Sequence, residues 1–437
     1  MTVFSSTRPL FVSLLALLAG VVLLAGCDVL EVDNPNSLVE EDLDDPTAAP
    51  AIANGALSTL AEGTSTVLAP YSAATDELTW TGTRDAWEQL VFGEVTDPLN
   101  EFSDGAFNQI AEARWTADEA IRRLEGFREE GRLSEATPLI RSYVYGALAY
   151  VVVGDTFENF ALSDRREAAP PVGAESMDSL YETAIGYLDQ GIQLARATGH
   201  STWLTRALAL RARAHFALAK WQKLHPLDTS DPLVQSTTAA EDAQAVLDRL
   251  GDGADWRYAL PVEPGTPENE MAFQVNERLE LRFGDAYVVP TDAAENTRVG
   301  RVRLEDPIDA EPAPYLEAQI AAFEQAGQYA DVPVVSAREM HLIRAEHALA
   351  QGDQGGFRTH INDLRALDGL TPYEDQLPAR DLLVHSRRVN LFLQGRRLAD
   401  HYRFDQPAPE WNNATPGAFF PITITEIRAN PNIDLDS

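Results

Sequence analysis

The chemistry this chain could do is narrowed by what its polar residues are and how they are spaced. Neither a G-x-x-x-x-G-K-[ST] phosphate loop, a G-x-S-x-G nucleophile turn nor an H-E-x-x-H zinc helix occurs in the sequence. His341, Glu346 and His347 are neighbours, but their steps along a helix do not converge on one ion, so a packed or solvated role is expected and no metal is assigned. Asp248, Asp252 and Asp255 around Gly253 resemble a calcium loop only faintly, because the closing glutamate is missing. With 68 acids in the chain, carboxylate pairs are too common to mark a glycosidase. What remains is recognition by aromatic surface. A sugar ring offers an apolar face to Trp or Tyr while polar groups read its hydroxyls, and no nucleophile is needed. Trp80 lies in the polar, glycine-containing run Thr79-Trp80-Thr81-Gly82-Thr83, which suits an exposed platform. Trp87, Trp256 and Tyr287 occupy similar loop contexts and join it as candidate ligand-binding residues. Trp115, Trp203 and Trp221 fall on helical stretches and are expected in the core.

The only cysteine, Cys27, closes Leu24-Ala25-Gly26-Cys27 behind the apolar stretch from Phe11, which Arg8 precedes. A basic start, an apolar run and small residues at the cut make a secretory signal peptide over residues 1–26. The cysteine at the first mature position resembles the lipobox of bacterial lipoproteins. That resemblance implies a diacylglycerol on the Cys27 thiol and further acylation of palmitate type, two chains being what stable anchoring requires. A simple cleaved signal or a membrane anchor is the alternative, but the run is short for a bilayer span. Net charge is −34, with 68 acids against 34 bases. Such a surface repels phosphate backbones, so nucleic acid is not an expected partner. Lys220 and Lys223 are the only lysines. Acidity with almost no lysine fits a halophilic surface whose self-repulsion concentrated salt screens; a GC-rich genome favouring Arg codons is the plainer account.

The elements that must position these residues read mostly as helices. Residues 27–46 are an acidic tether without apolar periodicity. From Thr47 the helical period recurs over Thr47 to Leu60, in a helix that Ser103 can cap, and over Leu139 to Val153, Met177 to Ala197 and Thr202 to Leu224. It returns over Ser336 to Ala350, Phe357 to Ala366 and one long last helix from Arg380 to about Phe404. Residues 251–333 hold many prolines and Gly-Asp punctuations and read as a loop-rich insertion, with Met271 to Val275 and Tyr287 to Val289 extended. Helix pairs joined by short turns predict a mostly α fold with tetratricopeptide-like pairs, forming one domain over 47–437 without a strict repeat.

Several fragments in order resemble the SusD/RagB family of nutrient-binding outer-membrane lipoproteins. They are the tether from Cys27 to Pro35, Phe107-x-x-Ile110, Ala149-Tyr150 through Gly154-Asp155, and the alanine-rich Arg206 to Arg213. More specific are Glu339-Met340-His341-Leu342-Ile343-Arg344-Ala345-Glu346, Asn362 to Arg365, the last helix with Arg387-Arg388, Gly395-Arg396 and Asp400, and the closing Phe420-Pro421-Ile422. Ser386, Asn390 and Gln394 depart from glutamates usual in that helix, and Arg114 from an asparagine. The resemblance implies a SusD-like α-α superhelix and capture of an oligosaccharide, or a peptide, for a SusC-type TonB-dependent transporter at the cell outer membrane. It implies binding without catalysis and without a cofactor. A surface glycoside hydrolase and a helical protein-interaction scaffold are the alternatives. Glu346, Arg365, Arg396 and Asp400 are expected to be structural: Glu346 sits among apolar residues and needs a partner, and Arg396 and Asp400, four apart, can meet on one helix face.

Overall fold

The computed structural model describes residues 40–164, 166–290 and 300–433. The expected signal peptide over 1–26, Cys27 and most of the expected tether lie outside them. The chain divides into two compact units, Met1–Asp45 and Pro46–Ser437. In the first, the described part is a 3₁₀ turn at Glu40–Asp44.

The second unit is built from packed helices. Helix α1 (Ala49–Ala73) is longer than its alanine-rich start suggests and continues through Pro70. β1 (Leu78–Trp80) and the short α2 (Asp85–Val91) lead to α3 (Glu101–Glu129). Helix α1 lies so close to α3 that a Cβ on Gly63 would meet the Gln109 carbonyl at 2.9 Å. The predicted cap of α3 is corrected. Asn100, not Ser103, caps it, its Oδ1 accepting from the N–H groups of Phe102 and Ser103 while Ser103 sits buried inside the first turn. The nearly continuous apolar run forms α4 (Thr137–Thr156), which packs on α1, α3, α5 (Asp178–Thr198) and α6 (Ser201–Leu224). Contact on so many sides explains why it is hydrophobic all round rather than striped. Gly199, at φ 76°, ends α5 in the left-handed conformation that a tight return demands. Helix α7 (Thr237–Leu250) then packs on α6.

The loop-rich insertion carries most of the β structure in three two-stranded antiparallel ribbons. Its elements are β2 (Arg257–Leu260), α8 (Glu270–Asn276), β3 (Leu281–Phe283), β4 (Val288–Pro290), β5 (Gly300–Val302) and α9 (Pro314–Gln325). β3 pairs with β1 (Trp80 opposite Leu281), β4 with β5, and β2 with β6 (Val332–Ser336). Met271 to Val275 is helical, not extended, because Asn269 caps it by accepting from the Ala272 N–H and Met271, Ala272 and Val275 are buried together.

The helical pairing resumes with α10 (Ala337–Ala350), capped by Ser336, and α11 (Gln354–Ala366), capped by Asp353. The long last helix predicted from Arg380 to Phe404 is two helices, α12 (Ala379–Asn390) and α13 (Arg397–Arg403). The break has a backbone cause: Leu393 and Gly395 adopt φ 56° and 73°, and the Leu393 N–H leaves the helical ladder to bond the buried Glu77 Oε1 at 2.8 Å. A last short helix, α14 (Ile424–Ala429), packs on α3. The fold is mostly α with tetratricopeptide-like pairs. Among the described residues no helix is long and apolar enough to cross a membrane.

Candidate ligand-binding site

The four predicted aromatics do not form one patch. Trp87 is fully buried and stacks on Phe102 with ring centroids 3.5 Å apart, because α2 folds its apolar side onto the start of α3. Tyr287 is equally buried, against Phe392 and beneath the Arg388 guanidinium, which lies 4.6 Å from its ring centre. Neither can act as a surface platform, and both are corrected to core residues. Trp80 and Trp256 remain half-buried. Trp80 ends β1, and the loop behind it wraps a single carboxylate. The N–H groups of Thr83 and Arg84 donate to Glu280 Oε2 at 2.8 and 3.1 Å, and those of Thr81 and Gly82 to the Glu280 carbonyl. Burial works to raise the Glu280 pKa, but these backbone hydrogen bonds outweigh it and hold the carboxyl below its ordinary value. Gly82 is required here, since a Cβ would fall 1.9 Å from Glu280 Oε2. Trp80 therefore stands on a fixed loop. Trp256 is fixed by its carbonyl, which accepts from the Ala337 N–H at 2.8 Å.

A cavity of about 290 Å³ opens beside Arg257 and Pro333 of the β2–β6 ribbon. Helix α9 gives Gln319 and Phe323, the following turn Tyr329 and Asp331, and the α12–α13 break Phe392 and Gln394. All its lining residues but Phe392, Leu393 and Gln394 come from residues 251–333. Phe323 and Tyr329 are half-buried and Arg257 and Asp331 exposed, so rings and polar groups meet at the mouth. Arg257 donates to the Gln319 amide oxygen, which orients both heads. Phe283 of β3 touches Phe323 and Phe392 at 5.8 and 5.9 Å, coupling the wall to the ribbon that carries Trp80. None of the four predicted aromatics lines this cavity. Its own residues are single letters from separate elements, and only the loop-rich character of the insertion pointed to the region.

The motif charges are internal. Glu346 is 0% exposed and accepts from Arg387 at 3.3 Å, from Arg403 and from the Val234 N–H at 2.9 Å. Asp400 accepts from the Nε atoms of Arg387 at 2.8 Å and Arg403 at 2.9 Å, so two acids and two guanidiniums close a buried, charge-balanced square. Burial alone would raise the Asp400 carboxyl, yet Arg387 and Arg403 hold it well below the ordinary value. Arg396 does not meet Asp400. It pairs with Glu339 of α10 at 3.0 and 3.1 Å, because the helix break precedes it. Arg365 pairs with the buried Asp306 at 2.8 and 3.0 Å. Asp155, held down to about 2 against its burial by Lys220 and Arg213, joins α4 to α6. Asp76 accepts from Arg397 at 2.8 and 2.9 Å at the floor of a second, open cleft of about 460 Å³. The departures from the family pattern find partners too: Asn390 accepts from Arg338 at 2.9 Å and Arg114 bonds Asp118 at 3.2 Å.

No protein-family model matches the sequence, and no curated relative matches it. Solved structures do match in fold. A SusD superfamily protein from Parabacteroides distasonis aligns over 91% of this chain and 99% of its own, with a TM-score of 0.62 at 14% identity. Surface glycan-binding protein A from Bacteroides uniformis aligns over 89% and 98%, with a TM-score of 0.56 at 15% identity. A SusD-like carbohydrate-binding protein from Bacteroides vulgatus aligns over 90% and 98%, with a TM-score of 0.54 at 13% identity. The chain has the SusD-like fold.

Proposed function

We propose that this chain is a SusD-family surface lipoprotein that binds an oligosaccharide without altering it and hands it to a SusC-type TonB-dependent transporter. The observation that carries the reading is the overlap with glycan-binding neighbours along almost the full length of both chains. The cavity supports it: two half-buried rings flanked by guanidinium, amide and carboxylate groups offer stacking and hydroxyl recognition together. Trp80 and Trp256, both half-buried on fixed backbone, extend the aromatic surface for a longer glycan. Lipidation at Cys27 holds the chain at the outer membrane facing the exterior, and the acidic, lysine-poor surface suits concentrated salt.

The test is calorimetry of the purified chain against panels of glycans and peptides, with Tyr329→Ala and Trp80→Ala beside the parent. Glycan binding that Tyr329→Ala weakens supports the reading. Release of reducing ends from a bound glycan overturns it in favour of a hydrolase, and binding of peptides alone overturns the ligand class. Recovery of a barrel protein from solubilised outer membrane supports delivery; recovery of soluble enzymes alone speaks for a scaffold. Mass spectrometry of the mature N-terminus showing an unmodified Cys27 removes the anchor.

A further inference from the structure

Histidines that spacing along one helix separates are brought together across two. His341 lies on α10, and His360 and Asp363 lie one turn apart on α11. One ligand-capable atom from each falls within 4.8 Å of the others. Ligand atoms around a tetrahedral ion at ~2.1 Å stand ~3.4 Å apart, so side-chain rotation by about an ångström converts the cluster into a coordination shell. Nδ1 of His341 and Nδ1 of His360 are both buried without a hydrogen-bond partner. Buried polar atoms are nearly always satisfied, and two clustered imidazoles that each keep one orphaned nitrogen, with a carboxylate in the same cluster, are an arrangement that a cation resolves. We propose that His341, His360 and Asp363 form a divalent transition-metal site that clamps α10 to α11.

Two imidazoles and a carboxylate suit zinc-like ions rather than calcium or magnesium, which take oxygen ligands. A metal takes the lone pair of a neutral imidazole, so binding here would displace a proton from any ring that carries two. With three protein ligands, a fourth position is left for water or for a group on a bound molecule. One residue competes with the ion. Arg344 Nε donates to His360 Nε2 at 3.1 Å, which places the ring proton on Nδ1. Ligation through Nδ1 moves that proton to Nε2 and releases Arg344. The guanidinium already reaches the Ala240 carbonyl at 3.4 Å and has a second partner to keep.

The experiment is titration of the full chain with zinc by calorimetry, and with cobalt(II) by visible absorption. One equivalent bound with tetrahedral cobalt bands is expected. Asp363 is exposed and His360 half-buried, so D363N and H360Q test the site without emptying the core even if H341Q does not fold. Each should weaken binding by at least about tenfold, the scale on which even outer-shell changes act, whereas Arg344→Gln should tighten it. Absence of binding in excess zinc overturns the proposal. So does equal affinity of H360Q, D363N and parent, which would place the ions elsewhere on an acidic surface. The glycan titrations do not depend on this outcome.

Discussion

Replacing Glu346 tests whether the buried square holds the late helices together. Glu346→Leu does two things at once. It leaves Arg387 and Arg403 sharing one carboxylate, an uncompensated buried charge worth ~3–5 kcal/mol. It also orphans the Val234 N–H, which costs ~1–3 kcal/mol. Glu346→Gln keeps an acceptor for Val234 and loses only the charge, so it should fall at the lower end. The double variant Glu346→Leu with Arg403→Met restores the balance, because Arg387 and Asp400 remain a pair. It should be more stable than Glu346→Leu alone, with a coupling of about 1–3 kcal/mol. Against a total stability of ~5–15 kcal/mol, the single change removes a large fraction. Urea unfolding followed by far-UV circular dichroism reads these three variants together with Arg403→Met alone, which closes the cycle. If Glu346→Gln and Glu346→Leu both stay within about 0.5 kcal/mol of the parent, as surface substitutions do, or if the double variant is the sum of its parts, the square is not a coupled ionic unit.

Other outcomes follow from single positions. Glu77 is buried, and burial pushes its pKa from 4.5 up to about 8. A raised carboxyl binds more protons folded than unfolded, so its contribution is present below about 4.5 and is lost as pH rises through about 8; Glu77→Gln should flatten that part of the stability profile. Asp155 has the opposite sign, its contribution being lost as pH falls from 3.8 through about 2. Trp87→Ala should cost ~3–5 kcal/mol in denaturant unfolding, as other core aromatics do, whereas Trp80→Ala should cost far less and act on glycan affinity. Gly82→Ala should cost ~1–3 kcal/mol by overpacking against Glu280 and loosen the loop behind Trp80, read as a lower melting temperature. Raising salt from about 0.1 M to 1 M shortens the screening length from ~10 to ~3 Å and should stabilise a chain of charge −34; equal stability at both removes the halophilic reading.

Helices were legible where a repeating apolar spacing extended over several turns, as in α4, α6 and α10. The errors fall where a contact far along the chain overrides local preference. Gly395 is the one local hint of a break in Leu391 to Arg396; Glu77 draws the backbone of Leu393 away, and the pairing of Arg396 changes with it. Trp87 stands on the short α2 and Tyr287 in a turn, yet both segments fold over the core, so polar neighbours in sequence did not imply exposure. The internal role expected for Glu346 came from its apolar setting, and that setting is what the structure displays, with partners 41 and 57 positions away. The histidine cluster was invisible because its members sit on different helices.

Asp76 meets Arg397 across 321 positions and His401 across 325. An acid that leaves the ribosome early thus stays without these counter-ions until almost the whole polypeptide has followed. These contacts close a loop over most of the chain, and closure over such a span is slow. Completion at the end of synthesis, rather than during it, is the timing this connectivity favours.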